Sequence, residues 1–167
     1  MEEELLIALI DIISVGMTEI QTLDEDYGQL EALLSGEKED NYPLLFPAVL
    51  VHAPMTDWNN LAGGNQKGQT TVNVRLMMDC YDDTHYGSTT TDKIKDRADM
   101  VKKLHDLLQN KSLPESTPLI RTQSKSVNMG GGIKVYELTY TCVITDMAPV
   151  ATTPHKITGV KINTNMI

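Results

Sequence analysis

The chain has 167 residues, 41% hydrophobic and 22% charged, with a formal net charge of −9. That length supplies one domain with a sizeable core. The acidity argues against electrostatic gripping of nucleic acid, which needs Lys and Arg facing phosphates. Residues 1–40 hold twelve of the 23 carboxylates and one base, Lys38; residues 147–167 hold Lys156 and Lys161 and no acid. Between them, acids and bases balance at eleven each. A neutral body with an acidic first element and a mildly basic tail fits self-assembly better than a self-contained enzyme.

The spacing predicts a helix from Glu2 to about Leu23. At 100° per residue, Leu5, Leu6, Leu9, Ile10, Ile12, Ile13, Met17 and Ile20 share one broad face. Ile7, Ala8 and Val15 intrude on the polar side, a second apolar patch that suggests contact with another subunit. Glu2, Glu3 and Glu4 complement the positive end of the helix dipole. Residues 24–40 are acidic and broken by Gly28 and Gly36, with a short helix over 29–34. Leu44–Val51 is an apolar strand with an irregular start at Pro47. Residues 54–69 carry Pro54, Asn59-Asn60 and Gly63-Gly64 and are expected to be a loop containing Trp58, which is either a cap over the core or an interface anchor.

Thr70–Tyr81 alternates strictly, with Val72, Val74, Leu76, Met78 and Cys80 on one face, and predicts a strand. After a polar loop over 82–91, residues 92–110 form an amphipathic helix with the stripe Ile94, Ala98, Val101, Leu104 and Leu108. The pairs Asp99–Lys103 and Lys102–Asp106 stand at i, i+4 on its outer side. Leu119–Val127 and Ile133–Thr145 read as a hairpin around Gly130-Gly131-Gly132, since glycine takes positive φ freely. Pro149 and Pro154 punctuate the end of the chain, where residues 155–163 suit a short strand. The whole is an α+β fold over residues 1–146: a mixed or antiparallel sheet with both amphipathic helices packed on it. Residues 147–167 are an extended C-terminal arm.

The residues offer no familiar catalytic kit: no phosphate loop, no nucleophile elbow, no His-Glu-x-x-His. Cys80-Tyr-Asp-Asp-Thr-His85 groups zinc-type ligands, but alternation turns Cys80 inward and no second ligand pair follows, so a polar strand-to-helix loop is the simpler reading. Accordingly no catalytic residue, metal site or cofactor is assigned. His105, at the edge of the second helix's apolar face, reads as a boundary histidine satisfied by a neighbour. Arg75, Arg97, Arg121, Lys125 and Lys134 are scattered among acids and read as solvated surface. The two cysteines read as small core hydrophobes. Leu5–Ile10 is preceded by glutamates, where a signal peptide needs bases, and is too short to span a membrane. A soluble protein made in a reducing cytoplasm is expected.

The order of elements resembles that of bacteriophage tail-terminator and head–tail connector (neck) ring proteins. The resemblance is carried by Phe46-Pro-Ala-Val-Leu-Val51, Val72-Asn-Val-Arg-Leu-Met-Met-Asp-Cys-Tyr81, the helix Arg97–Leu108 and the strand Val135-Tyr-Glu-Leu-Thr-Tyr-Thr-Cys-Val-Ile144. It implies a structural virion protein, assembled in the host cytoplasm, that forms a homo-oligomeric ring at the neck or tail end. Its partners would be its own copies and the adjoining connector and tail proteins, with DNA passing through the channel without specific binding. It supplies no catalytic residues. Candidate interface residues are Glu2, Glu3, Glu4, Ile7, Val15, Trp58, Lys156 and Lys161. Two other classes compete: a monomeric adaptor that binds another protein through the Trp58 loop and the tail, and an enzyme with an unrecognised site.

Overall fold

A computed structural model of the chain describes residues 2–36, 44–80 and 91–147. The cores are built around β4 (Gln66–Asp79) and β6 (Ile133–Asp146), the two strands with strict alternation, which pair antiparallel from Gln66↔Asp146 to Asp79↔Ile133. Their helix-side residues Val72, Val74, Leu76, Leu138, Tyr140 and Ile144 are all buried. Two helices cover that face: α1 (Glu2–Gly16), which also contacts β1 and β2, and α3 (Thr91–Leu108), whose His105 stacks on Tyr140 of β6. The remaining strands are β1 (Thr22–Glu25), β2 (Ala48–Val51), β3 (Met55–Asn60) and β5 (Ile120–Asn128). The sheet runs β1-β2-β4-β6-β5, with β3 also paired to β4; β1 is parallel to β2 and every other pairing is antiparallel. This is the expected α+β sandwich with a mixed sheet.

A smaller second core lies on the opposite face. There α2 (Gln29–Ser35) lays Leu30 over Ala48, Leu50, Met77, Ile133 and Val135. Among the described residues only one end of that face is covered, and the rest is mostly polar.

Three expectations about the elements need correction. The first helix ends at Gly16 instead of continuing to Leu23. Gly16 sits where α1 crosses α3: a Cβ there would lie 2.4 Å from Leu107 Cδ1. The chain is then captured by the start of β2, with the Gln21 N–H donating to Pro47 O (2.8 Å) and Gln21 Nε2 to Phe46 O (2.6 Å). That alignment makes Thr22–Glu25 a parallel edge strand where the last residues of the helix and the start of an irregular acidic segment were expected.

The expected loop over residues 54–69 is instead mostly a hairpin, β3 folding back on the start of β4 around Ala62–Gly64. Gly63 and Gly64 adopt φ of 77° and 82°, which lets the turn close. Gly68 admits Trp58 at close range, since a Cβ there would meet Thr56 Cγ2 at 2.3 Å and the indole at 3.0 Å.

The second helix buries less than its stripe suggests. Leu104 and Leu108 are fully buried, Val101 is half-buried, and Ala98 and Ile94 are exposed, so its first half stands off the sheet. Of the two outer pairs, Lys102–Asp106 forms. Lys103 reaches instead to Glu19 (2.8 Å), tying α3 to the turn after α1. That hydrogen bond holds the Glu19 carboxyl below the usual carboxylate range.

Cys80 and Cys142 are free thiols, half-buried and buried respectively. The Asp82, Asp83 and His85 ligand types, the proposed strand over 155–163, and Lys156 and Lys161 lie outside the described residues.

Candidate assembly surfaces

The outer face of α1 is a surface of mixed character. Glu3, Glu4, Ile7, Asp11, Ser14 and Val15 are exposed, with Ile7 at 58% and Val15 at 83%. Glu2 is half-buried at the helix start. The helix contains four carboxylates and no base. Ile7 and Val15 are eight residues apart, which at about 100° per residue sets them roughly 80° apart around the axis, on either side of Asp11 on the outer face. Beside Val15 runs a mostly apolar trough of about 380 Å³, bounded by Asp11, Ile12, Gly16, Leu107 and Lys111. Ile7 and Val15 are thus the apolar members of an otherwise acidic and polar outer face.

The far margin of the sheet is β5. Eight of its nine residues are exposed, and Val127 is half-buried. Its bases are Arg121 and Lys125, and it has no acid. Lys125 pairs with Glu137 on β6 at 2.7 Å. A bulge between Arg121 and Gln123 and the bond from the Arg121 N–H to Gln109 Oε1 (3.0 Å) interrupt the edge near its start. Irregularities and cations of this kind keep an open edge from pairing indiscriminately.

The polar face opposite the main core carries a buried ion cluster. Arg75 lies at β4's centre and is only 5% exposed. Its guanidinium donates to Asp26 (2.8 Å) and Glu31 (2.7 Å), and Asp26 also lies 3.0 Å from His52 Nε2. Asp26 is 2% exposed at its side chain and further accepts from the Gly28 N–H (3.0 Å). Burial works against the Arg75 charge, but the bonds to Glu31 and Asp26 more than offset it and raise its pKa. The bond from Arg75 holds the Glu31 carboxyl below its ordinary range. Arg75 was expected on solvated surface; it is instead the pin between α2, the end of β1 and the sheet. A depression of about 440 Å³ borders this cluster, where the Lys125–Glu137 pair also lies. Its charges are therefore largely spent on one another.

The remaining expected site residues fall as follows. Trp58 is half-buried on β3 and packs against the main core. His105 accepts or donates at Nδ1 to the Tyr140 hydroxyl (3.2 Å), the neighbour expected for a boundary histidine. Burial first, then Arg121, lowers the His105 pKa, and burial pushes the Tyr140 phenol up to about 12. Among the described residues no group of three or more His, Cys, Asp or Glu side chains is gathered to hold a metal. No described helix is long and apolar enough to cross a membrane. The Arg75 cluster escaped sequence reading because its partners stand 44 and 49 residues away. One available signal was Met77, an apolar residue on the same face, which betrays a second covered surface.

No family model and no curated protein matches the chain. Among solved structures 25 chains match. One, from a structure described as the virion of a native gene transfer agent particle, is 13% identical, with a TM-score of 0.47. The match covers 84% of this chain and 97% of that one.

Proposed function

We propose that the chain is a structural virion subunit that assembles with its own copies into a ring. The ring sits at the neck or tail end of a phage-like particle, joins head to tail or terminates the tail, and leaves a channel for DNA. The observation that carries this reading is the outer face of α1, where Ile7 and Val15 stand exposed on a helix with four carboxylates and no base. An isolated subunit gains nothing from that arrangement; a subunit covered by a neighbour buries both side chains. The order of elements supports the same reading through its resemblance to the ring proteins. The acidic first forty residues suit a channel border, because a negative lining repels phosphates and lets DNA slide without sticking. Residues 147–167, with Lys156 and Lys161, act as an arm that reaches an adjoining copy.

The role is structural and involves no reaction. Half-burial of Trp58 on β3 takes support from the adaptor reading, which needs that indole as a free anchor. Solution mass tests the proposal: sedimentation of the purified chain at micromolar concentration should show a closed multimer. A stable monomer that also stays monomeric with connector and tail proteins would count decisively against it.

A further inference from the structure

We infer that the α1 outer face of one copy docks on the β5 margin of the next, giving a head-to-tail contact. The inference rests on the ring reading and names the partner surface that reading leaves open. Three observations point to it.

First, the two surfaces lie at opposite ends of the subunit. α1 sits over β1 and β2 at one margin of the sheet, and β5 is the other margin. Four inter-strand spacings separate β1 from β5, roughly 19 Å at about 4.8 Å each. A contact between different surfaces is heterologous, and it closes into a ring when the rotation per copy divides a full turn. Self-pairing of either surface would stop at a dimer.

Second, the charges are complementary across the pair and repulsive within each surface. α1 carries Glu2, Glu3, Glu4 and Asp11 without a base; β5 carries Arg121 and Lys125 without an acid, and since Lys125 is already paired with Glu137 on β6, Arg121 is the cation left to face the helix. Two copies of β5 set edge to edge would oppose cations, and two copies of α1 would oppose carboxylates. Like-charge juxtaposition of that kind suppresses the wrong partner as effectively as attraction selects the right one.

Third, each surface exposes apolar area that the charges frame. Ile7 and Val15 on α1 face outward, and Ile120 at the start of β5 is 48% exposed. The trough beside Val15 offers a recess for an incoming aliphatic side chain. Among the described residues β5 is exposed on both sheet faces and along its edge beyond the Gln109 contact at its start, so a helix can lie against it without displacing any described element.

A charge-swap experiment on the full chain tests the contact. Arg121→Glu with Ser124→Glu reverses β5 and leaves the Lys125–Glu137 pair intact. Glu3→Lys with Asp11→Lys and Ser14→Lys reverses α1. Each set alone should raise the half-assembly concentration at least about tenfold, since like charges then face each other. A chain carrying both sets should recover assembly, with thermal melts confirming that every variant folds. As a second readout, a Val15→Cys chain mixed with a Ser124→Cys chain should form a disulfide between differently tagged copies. Full assembly in both single sets would overturn the contact and leave the ring reading standing, with another surface such as the C-terminal arm as the joint. Failure of the combined set to recover, with no inter-chain disulfide, would equally overturn it. A monomeric wild type would instead remove the ring reading, and this contact with it.

Discussion

Replacing Arg75 by Met should be among the most damaging single changes in the chain. The guanidinium is 6% exposed at its side chain and neutralises Asp26, which is 2% exposed. Methionine fills most of the volume but leaves the Asp26 carboxylate without its main cation. Removing one partner of a buried pair costs about 3–5 kcal/mol, because an uncompensated charge stays in the interior. The bond to Glu31 adds little, since that side chain is 53% exposed and water screens it, at most about 1 kcal/mol. His52, 3.0 Å from Asp26 and half-exposed, stays in place as a polar partner and recovers part of the loss. A net loss of about 3 kcal/mol follows, corresponding to a fall in Tm of roughly 6–12 °C for a chain of this size. Urea titration at fixed protein concentration measures it directly. The double variant Arg75→Met with Asp26→Leu, which removes both charges, should regain most of the stability, because a buried ion pair and a packed apolar pair differ little. A loss below about 1 kcal/mol for Arg75→Met, or a double variant no better than the single, would refute the assignment of this cluster as the pin between α2 and the sheet.

Other changes have expected outcomes of their own. Gly68→Ala places a Cβ against Thr56 and the Trp58 indole and should cost about 1–3 kcal/mol by forcing the β3 hairpin outward, readable as a change in tryptophan fluorescence and a lower urea midpoint. Tyr140→Phe removes the hydroxyl at His105 Nδ1 and should cost about 1 kcal/mol in the same titration. The lowered pKa of His105 means that the unfolded chain binds this proton more readily. Stability should therefore fall as pH drops below about 6.5, and His105→Gln should flatten that part of the profile. Glu31, like Glu19, has a depressed carboxylate pKa, so its contribution is present above about 4.5 and is lost as pH falls further; Glu31→Gln should reduce that acid-side slope.

Much of the scaffold was legible because two strands are long and alternate without error. Val72 to Cys80 and Tyr136 to Ile144 can place their apolar side chains on one face only in an extended chain, so β4, β6 and the covered face follow from spacing alone. What the sequence hid depended on partners remote along the chain. Thr22–Glu25 is acidic and four residues long; it becomes a strand because Gln21 is hydrogen-bonded at the start of β2, not because of its own propensity. Met55–Asn60 contains turn-forming Asn59 and Asn60, and the pairing with Gln66–Thr71 overrides them. Met17 and Ile20 continue the period of α1 past its end, since both pack on the same core from a turn. The stripe on α3 predicted five buried side chains and the fold buries two fully, because periodicity reports which side faces inward and not how far the helix stays in contact. Of the proposed assembly surfaces, the apolar intrusion on α1 was visible at once. The β5 margin was not, since a polar strand reads the same whether it is an edge or a paired strand with a solvated face.

Electron microscopy of the purified protein tests the central claim most directly. Particles should be closed rings of uniform size with rotational symmetry and a central channel. Only monomers, or open filaments without closure, would contradict it.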